Sequence, residues 1–464
     1  MNIFLIYGLG VSGLGALNFL LKNTKTVYIY DDNKNKLEDV YNLYLNKYPN
    51  NIHKIDLKDF NIKADYLVCS PSVVFSKNDF IQAQIKKQTK LISDIDLVYN
   101  YDKEKLFFGI TGTNGKSTSA SLLSHVLNNI GCKNSLGGNI GKNLLDDDVF
   151  GLKDTNYVIE VSSYQAELLN FNFDIAALTN ITPDHIDHHG SFENYANTKI
   201  NFVKSAKYKI VNRDDYLIDK SFDINDKSVF GFSVSKIIPN GISLIKESNG
   251  LNLYINKVQI TNRSLFENLI GEHNLQNIAC VLSFIYCIYD KYNLGNFIAN
   301  IDKIFLSIDC FNGLSHRIEK VASIGKITFV NDSKATNVQS CEVALKCFDN
   351  IILLAGGVKK EEGLEYFFDK ECFKKVLHIV CYGQCGSEFY DTLVKNNYSG
   401  IASLCLSLKD ATLKAYSLAE NFVLKENKVN INILLSPCTA SFDEFKNFEQ
   451  RGDVFKEIVN SIKK

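Results

Sequence analysis

The sequence predicts an α/β protein made of three domains. Short apolar runs, typical of buried parallel strands, are repeatedly followed by a polar or glycine-rich turn and then by a helix-like segment. A chain of 464 residues is too long for a single hydrophobic core. We expect the three domains to cover residues 1–92, 93–310 and 311–464.

The overall composition excludes several classes of protein. Apolar residues make up 45% of the chain, and 51 Lys and Arg balance 52 Asp and Glu, so no basic field is available to bind nucleic acid. The chain opens without an apolar signal core and has no run of 18 apolar residues, so we expect a cytoplasmic protein without membrane insertion. The twelve cysteines are scattered and fit reduced core thiols. We also expect a monomer.

The first domain opens with a glycine loop between a strand and a helix. An apolar strand at residues 2–7 leads into the loop at residues 8–13, GLGVSG, and a second strand at residues 26–30 ends in two aspartates. This spacing is the GxGxxG fingerprint of a Rossmann-like domain, which holds a ribose-linked diphosphate at a helix start. The candidate contacts are Gly10, Val11, Ser12, Asp31 and Asp32. A tight turn that binds no ligand remains the alternative.

A further strand of this domain ends in small residues. Residues 66–72 read YLVCSPS, in which the apolar part gives way to Ser70 and Pro71. Because open α/β sheets bind ligands at the carboxyl ends of their strands, we expect these two residues at the ligand edge.

The central domain begins with a second glycine loop. A buried strand at residues 106–110 precedes GITGTNGKST at residues 109–118, and a helix-like run follows at residues 120–127. Glycines let backbone N–H groups approach phosphate oxygens, while a lysine adds charge and a hydroxyl can bind Mg²⁺. The match to GxxxxGK[ST] is imperfect, because the first glycine is Gly109 rather than residue 110. A glycine turn that binds nothing is the alternative to an ATP site here. The candidate residues are Gly112, Thr113, Asn114, Gly115, Lys116, Ser117 and Thr118.

Polar side chains follow other apolar runs of the central domain. Acidic, hydroxyl and imidazole groups at strand ends suit metal ions, phosphates and carboxylates. Three histidines in the run HIDHH, residues 185–189, raise the question of zinc. The spacing differs from HExxH and no second ligand cluster completes a tetrahedron, which argues against zinc. The strand-end residues of interest are Asn139, Glu160, Gln165, Asp184 and His185.

Three other polar residues of this domain each have two interpretations. Lys199, in a predicted helix, is either a surface lysine or a site cation, and its sequence surroundings favour the surface. Asn274 and Asn277 open a strongly apolar helix, where asparagine is as often a helix cap as a functional group.

The third domain repeats the pattern of strand, polar turn and helix. Such repeats indicate a parallel sheet with right-handed crossovers, whose strand ends form one ligand edge. That predicted edge carries Asp332, Lys334, Thr336, Lys360, Ser441 and Lys446, with Arg317 just ahead of it.

Taken together, these motifs resemble the Mur ligases of peptidoglycan synthesis. The shared runs are residues 109–118, GGNIG at residues 137–141, GEHNLQN at residues 271–277 and His316-Arg317. NDSKATN at residues 331–337 and SPCTASFDEFKNFEQRG at residues 436–452 resemble the branch that adds D-glutamate. The resemblance implies a Rossmann-like N-terminal domain, a central P-loop ATPase-like parallel-sheet domain and a C-terminal Rossmann-like domain.

The resemblance also implies an activity, two substrates and cofactors. The activity is ATP-dependent ligation of D-glutamate to UDP-N-acetylmuramoyl-L-alanine through an acyl phosphate, with two Mg²⁺ ions. The implied contacts of the UDP-linked substrate are Gly10, Val11, Ser12, Asp31 or Asp32, Ser70, Pro71, Asn139 and Gln165. The ATP contacts are residues 112–118, Asn274, Asn277, Arg317 and Asp332, and the D-glutamate contacts are Lys334, Thr336, Lys360, Ser441 and Phe448. The implied catalytic residues are Lys116, Glu160, His185 and Lys199, and the metal ligands are Ser117, Glu160, His185 and a carbamylated Lys199.

The chain departs from the family pattern at two positions. Val358 and Lys359 precede Lys360, where relatives usually carry an aspartate just before the lysine, so the group that orients Lys360 is in question. Lys199 also lies one residue closer to His185 than the family pattern places it.

Three other functions compete with this interpretation. An NAD-dependent oxidoreductase would explain the first glycine loop alone, and a non-enzymatic nucleotide-binding scaffold would leave the polar strand ends unexplained. Folylpolyglutamate synthase has a similar central domain, but the first glycine loop and the two late motifs speak against it.

Overall fold

The computed structural model describes residues 2–56, 62–71, 73, 77–266, 268–359, 363–425 and 430–463. These residues form two compact units. One comprises Met1–Leu265 and His273–Ile308, and the other Phe266–Glu272 and Asp309–Lys464. The first unit holds two sheets and the second unit holds one. The predicted α/β class with parallel sheets is confirmed, while the domain boundaries at 92 and 310 stay a prediction.

The first sheet has five parallel strands in the order 3-2-1-4-5. Strands β2 and β3 lie on one side of β1, and β4 and β5 lie on the other. The strand order therefore switches between β1 and β4, and doubly wound sheets bind ligands at such a switch point. The strands are β1 (Ile3–Tyr7), β2 (Thr26–Tyr30), β3 (Ile52–Lys54), β4 (Tyr66–Cys69) and β5 (Lys90–Ile92). The helices are α1 (Val11–Lys22), α2 (Lys34–Leu45), α3 (Asp79–Lys86) and α4 (Asp94–Tyr101).

The glycine loop after β1 is shaped by close backbone contacts. Gly8 has φ 93°, a value that L side chains rarely adopt, and a Cβ on it would lie 2.6 Å from the Cβ of Ser70. A Cβ on Gly13 would lie 1.9 Å from the carbonyl oxygen of Gly8. The missing side chain of Gly13 therefore lets helix α1 pack directly on the loop, and that of Gly8 lets the ends of β1 and β4 come together.

The central sheet has nine strands in the order 14-13-12-11-10-9-6-8-7. Strands from β7 to β12 run parallel, and β12 to β14 form an antiparallel extension at one edge. The strands are β6 (Phe107–Thr111), β7 (Asn134–Gly138), β8 (Asn156–Glu160), β9 (Ile175–Leu178), β10 (Tyr208–Asn212), β11 (Val229–Ser233), β12 (Gly241–Glu247), β13 (Gly250–Ile255) and β14 (Val258–Arg263). The helices are α5 (Lys116–Ile130), α6 (Ser163–Ala166), α7 (Ile186–His189), α8 (Phe192–Ser205), α9 (Tyr216–Ser221), α10 (Glu272–Tyr292) and α11 (Ile301–Asp309), with a 3₁₀ turn at Ile298–Asn300.

Strand β6 lies inside this sheet, between β9 and β8, and is buried along its whole length. On one face Phe108 meets Phe284 of α10 edge-on at 5.6 Å. On the other face a Cβ on Gly109 would come within 2.9 Å of the rings of Phe173 and Phe202. Gly109 is therefore a packing glycine inside the strand, one position before residue 110, where the GxxxxGK[ST] pattern has its first glycine.

The third sheet has six strands in the order 15-16-20-17-18-19, all parallel except the β15–β16 pair. The strands are β15 (Glu319–Ile324), β16 (Ile327–Asn331), β17 (Ile351–Gly356), β18 (Val376–Tyr382), β19 (Ala402–Leu404) and β20 (Ile431–Leu435). The helices are α12 (Val338–Cys347), α13 (Gly386–Lys395), α14 (Leu408–Lys425) and α15 (Phe448–Ile462), with 3₁₀ turns at Leu364–Phe367, Glu371–Lys375 and Ser399–Ile401.

Alternate residues of the third sheet feed two separate apolar layers. Leu353 belongs to the layer under α12 and α13, whereas its neighbours Ile352 and Leu354 belong to the layer under α14 and α15. The sheet is thus covered on both faces, as parallel sheets require. Among the helices of the described residues, none combines the length and apolarity that a membrane crossing needs.

We predict that Gly13→Ala destabilises the first unit by about 1–3 kcal/mol or more, because the added Cβ overlaps a backbone carbonyl that has no free space to move into. The matched control is Gly10→Ala. Gly10 has φ −67° and nothing within 4 Å of the position of a Cβ, so its substitution is expected to change the free energy of unfolding by less than about 0.5 kcal/mol. Urea unfolding of both variants checks this, and equal midpoints would contradict it.

Candidate functional site

The loop between β6 and α5 has the geometry of a phosphate-binding loop. Strand β6 ends at Thr111, helix α5 begins at Lys116, and Gly112 and Gly115 between them have φ 149° and 81°. The Lys116 ammonium donates hydrogen bonds to the carbonyl oxygens of Gly112 at 2.9 Å and Thr113 at 2.7 Å. The positive end of a 15-residue helix and a lysine therefore converge on one short loop, as a bound phosphate requires. Ser117 lies buried in the first turn of that helix and Thr118 follows it.

Both glycines of this loop are needed because neighbouring side chains press against it. A Cβ on Gly112 would lie 1.9 Å from the Thr179 hydroxyl oxygen, and one on Gly115 would lie 2.3 Å from Oδ1 of Asn277. The Thr113 amide donates to the carbonyl oxygen of Asn180 at 2.8 Å. The Asn114 amide donates to Oδ1 of the same asparagine at 2.9 Å. The end of β9 and helix α10 thus fix the loop from two sides.

The two asparagines of α10 lie inside the helix rather than at a cap. Asn277 accepts a hydrogen bond from the Ser119 hydroxyl at 3.2 Å and donates to Oδ1 of Asn274 at 3.1 Å. Both side chains are buried. Their place against Gly115 shows that they shape the loop, whatever they contact when a ligand is bound.

Glu160 is an anionic group beside this loop. It is the last residue of β8, in register with Ile110 of β6, and its side chain is 1% exposed. Its Oε1 accepts a hydrogen bond from the Asn139 amide at 2.8 Å. Within the described part of the chain, the buried Oε2 has no hydrogen-bond partner. Because an uncompensated buried carboxylate oxygen is costly, this atom fits a cation that a ligand-bound state would supply.

Lys199 corrects an expectation drawn from the sequence. Instead of lying at the surface, its side chain is 1% exposed, and its ammonium donates to the Gly112 carbonyl oxygen at 2.9 Å and lies 4.9 Å from the centre of the Tyr195 ring. Burial first, and the nearby Lys116 second, lower the pKa of Lys199 to about 7. The helix pattern contained the signal, since the buried positions 195, 196, 200 and 203 of α8 share a face with residue 199.

His185 lies at the start of the short helix α7, in a left-handed conformation with φ 50°. Its Nδ1 is 3.1 Å from the Tyr164 hydroxyl, its Nε2 is 3.5 Å from the Asp184 carboxylate, and its side chain is 45% exposed. The ring is therefore held by two polar neighbours while remaining open to solvent.

The two predicted contacts of the muramoyl end have internal partners. Asn139 is bound to Glu160, as described above. Gln165 is buried, and its Oε1 accepts hydrogen bonds from the backbone and hydroxyl of Ser162 in a capping box that starts α6. For Gln165 the structure thus gives a complete structural role, a helix cap that a sequence of the form SSYQ also predicts.

In the first sheet, Asp31 is engaged with the glycine loop. It accepts hydrogen bonds from the backbone amides of Leu9 at 2.7 Å and Asn33 at 2.8 Å. Asp32 accepts one from the Tyr7 hydroxyl at 3.0 Å. Asp31 therefore stabilises the loop itself, which leaves Asp32 as the aspartate less committed to the backbone.

The remaining predicted residues of the first sheet gather at the same loop. Gly10 caps α1 through its backbone, Val11 is exposed, and the Ser12 hydroxyl hydrogen-bonds with the buried Asp94. The carbonyl oxygen of Val11 accepts a hydrogen bond from the Asn143 amide of the central sheet at 3.0 Å. Ser70 and Pro71 follow β4 directly and lie beside Gly8.

In the second unit, Asp332 follows β16 and is buried. It accepts hydrogen bonds from the Ser436 hydroxyl at 2.8 Å and the Ile318 amide at 3.2 Å. Burial raises the pKa of Asp332 to about 7, against the hydrogen bonds and the nearby charge of Arg317, which lower it. Its carboxyl group thus titrates near neutrality.

The predicted D-glutamate contacts lie around the ends of β16 and β20. The Lys334 ammonium is 5.1 Å from the centre of the Phe448 ring, and Thr336 follows it in a tight turn. Ser441 is buried, directly after Ala440, which pairs with Val358 through two backbone hydrogen bonds. Lys360 lies outside the described residues. Among the described residues, the structure therefore places Lys334 near Phe448 and the segment of Ser441 beside Val358.

Comparison with known proteins adds an independent observation. Residues 110–285 match the family description Mur ligase middle domain. The UDP-N-acetylmuramoylalanine–D-glutamate ligase of Rickettsia prowazekii (strain Madrid E) is 34% identical over 463 residues, covering 98% of this chain and 96% of the relative. The chain belongs to the Mur ligase family. The ligase of the same name from Rickettsia felis is 35% identical over 465 residues, again covering 98% of this chain and 96% of the relative.

A solved Mur ligase structure agrees with this chain in fold. The UDP-N-acetylmuramate-alanine ligase of Thermotoga maritima matches 100% of both chains with a TM-score of 0.59 at 16% identity. At that identity the likeness concerns the fold alone, and it confirms the predicted three-domain architecture.

Arg451 is a residue of this Mur ligase whose role the sequence did not reveal. It is one of only four arginines in the chain and is fully buried in α15. Its guanidinium donates to the hydroxyl and carbonyl oxygens of Ser333, at 3.0 and 2.8 Å, and to the carbonyl oxygen of Thr439 at 3.0 Å. The Ser333 hydroxyl in turn donates to the carbonyl oxygen of Phe448. One side chain therefore joins the segments around Lys334, Ser441 and Phe448. The scarcity of arginine was the available signal.

We predict that Arg451→Met lowers the free energy of unfolding of the second unit by about 3 kcal/mol, because three buried acceptors lose their donor at once. The matched control is Arg263→Met. Arg263 is partly exposed and stacks on Phe305 at 4.8 Å, so its loss is expected to cost no more than about 1 kcal/mol. Urea unfolding gives both values, and equal values would remove Arg451 from this role.

Proposed function

We propose that this Mur ligase joins D-glutamate to the L-alanine carboxylate of UDP-N-acetylmuramoyl-L-alanine at the expense of ATP. The observation that carries the proposal is the likeness, over almost the full chain, to relatives named for that reaction. The phosphate-binding geometry of residues 112–116 supports the ATP requirement. A nicotinamide oxidoreductase or a passive scaffold would not explain this likeness. The two relatives also carry the name of the D-glutamate ligase and not that of a folylpolyglutamate synthase.

ATP would bind with its phosphates in the loop between β6 and α5. Within the proposed contact segment 112–118, the start of helix α5, the ammonium of Lys116 and the hydroxyls of Ser117 and Thr118 would provide donors for phosphate oxygens. The amides of Thr113 and Asn114 instead hold the loop in place by donating to Asn180. Asn274 and Asn277 would act from the helix behind the loop. For Arg317 and Asp332, in the second unit, the family resemblance supports contacts with the nucleotide.

Mur ligases use ATP and Mg²⁺ in general. Here the ligands we propose are Ser117, Glu160, His185 and Lys199, for two ions. Oε2 of Glu160, which has no hydrogen-bond partner among the residues that the structure describes, supports this assignment, because a hard cation prefers a carboxylate oxygen. When bound, Mg²⁺ would offset the negative charge of the phosphates.

The chemistry follows from the poor reactivity of a carboxylate toward an amine. A carboxylate oxygen of the terminal L-alanine attacks the γ-phosphorus of ATP, which forms an acyl phosphate and releases ADP. The amine of D-glutamate then attacks the acyl carbon, and the tetrahedral species loses inorganic phosphate and a proton to give the amide. Lys116 stabilises the negative charge that develops in the first step, when an anion approaches a polyanion.

D-Glutamate would bind at the strand ends of the second unit. Its two carboxylates call for cations and hydroxyls, and Lys334, which lies over the Phe448 ring, Thr336 and the buried Ser441 have that character. Lys360 is proposed for the same substrate on the resemblance alone. Arg451 would act as a positioning residue that holds these segments together.

The UDP part of the other substrate would lie at the loop after β1. Gly10, Val11 and Ser12 start helix α1 there, and Ser70 with Pro71 closes the opposite side. Asp32 is the better candidate for a hydroxyl contact, because Asp31 is committed to two backbone amides. Asn139 and Gln165 stay proposed contacts of the muramoyl end. We place the enzyme in the cytoplasm, as a monomer.

We further propose that Lys199 is carbamylated. A carbamate forms when the lone pair of a neutral amine attacks CO₂ and the nitrogen loses a proton, so the reaction needs an unprotonated lysine. The pKa of Lys199, lowered to about 7, provides that form at neutral pH. The product would turn a buried cation beside Lys116 into an anion suited to Mg²⁺.

The ligase activity is tested by ADP release with UDP-N-acetylmuramoyl-L-alanine as the first substrate. We expect turnover with D-glutamate, and a rate lower by at least about 10²-fold with L-glutamate, lysine or D-alanyl-D-alanine. Lys116→Ala should lower kcat by about 10²–10³-fold, since it removes a charge that stabilises the transition state. The control is Lys133→Ala, an exposed lysine beyond the other end of α5. ADP release without either substrate, or preference for another amino acid, would contradict the proposal.

Carbamylation is tested by ¹³C NMR of the protein equilibrated with ¹³C-bicarbonate. We expect one carbamate signal that is lost in Lys199→Met and kept in Lys204→Met, whose lysine is exposed on the same helix. The signal should fall as the pH drops below about 7, where the Lys199 amine gains a proton. A signal equal in both variants, or none at alkaline pH, would argue against the carbamate.

A further inference from the structure

A cluster of two histidines and a glutamate lies on α6 and α7, outside the residues assigned to the reaction. Glu167 directly follows α6, and His188 and His189 end α7. Oε2 of Glu167 is 3.1 Å from Nε2 of His188, and Oε1 is 2.8 Å from Nδ1 of His189. Each of the three residues thus offers one atom, and these atoms all lie within 4.8 Å of one another. The sequence argued against zinc on two grounds, the spacing of the histidines and the lack of further ligands. Glu167 supplies a further ligand.

The orientation of His189 points to an ion between these atoms. Its side chain is 1% exposed, and its Nε2 lies 3.0 Å from the Ser163 hydroxyl oxygen. A proton on Nε2 that is donated to Ser163 leaves Nδ1 with a lone pair that faces a carboxylate. Among the described residues, no atom meets hydrogen-bond geometry at this buried Nδ1, although Oε1 of Glu167 is close. Two atoms that bind the same metal ion are also close together without a hydrogen bond between them.

The surroundings hold the ligands and leave room for water. The Tyr164 ring meets the His188 ring edge-on at 4.2 Å and the His189 ring at 5.8 Å, so both imidazoles are held by packing. A cavity of about 390 Å³ opens beside the cluster. Besides the three ligands, its lining is polar and consists of Asn194, Asn197, Thr198 and Asn201. The amides and the hydroxyl can hydrogen-bond to water on an open coordination position.

We propose that Glu167, His188 and His189 form a binding site for a transition-metal ion, with Zn²⁺ as the representative ion and water completing the coordination. Two imidazole nitrogens and one carboxylate oxygen are a set that suits zinc, whereas Mg²⁺ prefers oxygen ligands alone. The bound ion ties the end of α6 to the end of α7. The ion therefore restrains the short helix α7, which directly follows His185.

The test uses the untagged full-length protein, saturated with Mg²⁺ and titrated with Co²⁺ as a spectroscopic probe and then with Zn²⁺ as a competitor. We expect one equivalent of Co²⁺ with the visible bands of a low-symmetry site, displaced by Zn²⁺ and unaffected by Mg²⁺. His188→Asn and Glu167→Gln should each weaken Zn²⁺ binding by at least about tenfold, because each removes one of three protein ligands. The control is His53→Asn, which changes a histidine stacked on Tyr28 at the first sheet.

Several results would overturn the proposal. These are equal Zn²⁺ affinity in His188→Asn and the wild type, displacement of Co²⁺ by Mg²⁺, and thiolate-to-cobalt absorption, which would assign the ion to cysteines. Should a variant fail to fold, X-ray absorption of the wild-type Zn²⁺ complex decides the matter. Two imidazoles and oxygen ligands would support the site, and any sulfur ligand or a shell of water alone would refute it.

Discussion

Four residues, 112–115, connect strand β6 of the large sheet to helix α5, and neighbouring side chains leave them little space. The Thr179 hydroxyl and the Asn277 amide press against the two glycines, while Asn180 holds both intervening amides. A loop fixed in this way does not have to be ordered when a phosphate binds at the start of α5, which lowers the entropic cost of binding. The positions of Lys116, Ser117 and Lys199 all follow from the path of this loop, since each contacts it or continues from it.

The charge at this loop depends on burial, which shifts the pKa of a lysine, as much as on ion pairing. Two lysines share the Gly112 carbonyl oxygen, and Glu160 is the buried anion near them. Since like charges in a buried site repel, the cheapest response is for one amine to lose its proton, and the more buried Lys199 is the one whose pKa falls. In the second unit, burial acts in the opposite sense on a carboxyl group and raises the pKa of Asp332. Burial thus brings the pKa of an ordinary lysine and that of an ordinary aspartate close to neutral pH.

Much of the fold and part of the site follow from local sequence. Glycine spacing after an apolar strand located both loops, because glycine adopts the positive φ of Gly8, Gly112 and Gly115 without the steric cost of a side chain. The antiparallel extension at β12–β14 could not be placed from the sequence, since nothing in its local pattern shows that it joins the central sheet. Lys199 was placed at the surface because lysine usually is, although its helical face was apolar.

Contacts between distant segments were beyond the reach of sequence patterns. Glu167 lies about twenty residues before the histidines it contacts, and Arg451 donates to Ser333, more than a hundred positions away. Gln165 shows the opposite case, in which a local capping pattern gives a role that competes with the one implied by family resemblance.

Strand β20 has a consequence for how this chain is made. It is the last strand in the sequence, yet it lies between β16 and β17 in the middle of the third sheet. While the ribosome is adding residues 357–430, those two strands are already made but lack their shared neighbour, and they expose unpaired backbone edges. Synthesis therefore finishes the first unit long before the second can close, and the interval in which a nascent chain needs protection from aggregation falls at its carboxyl end.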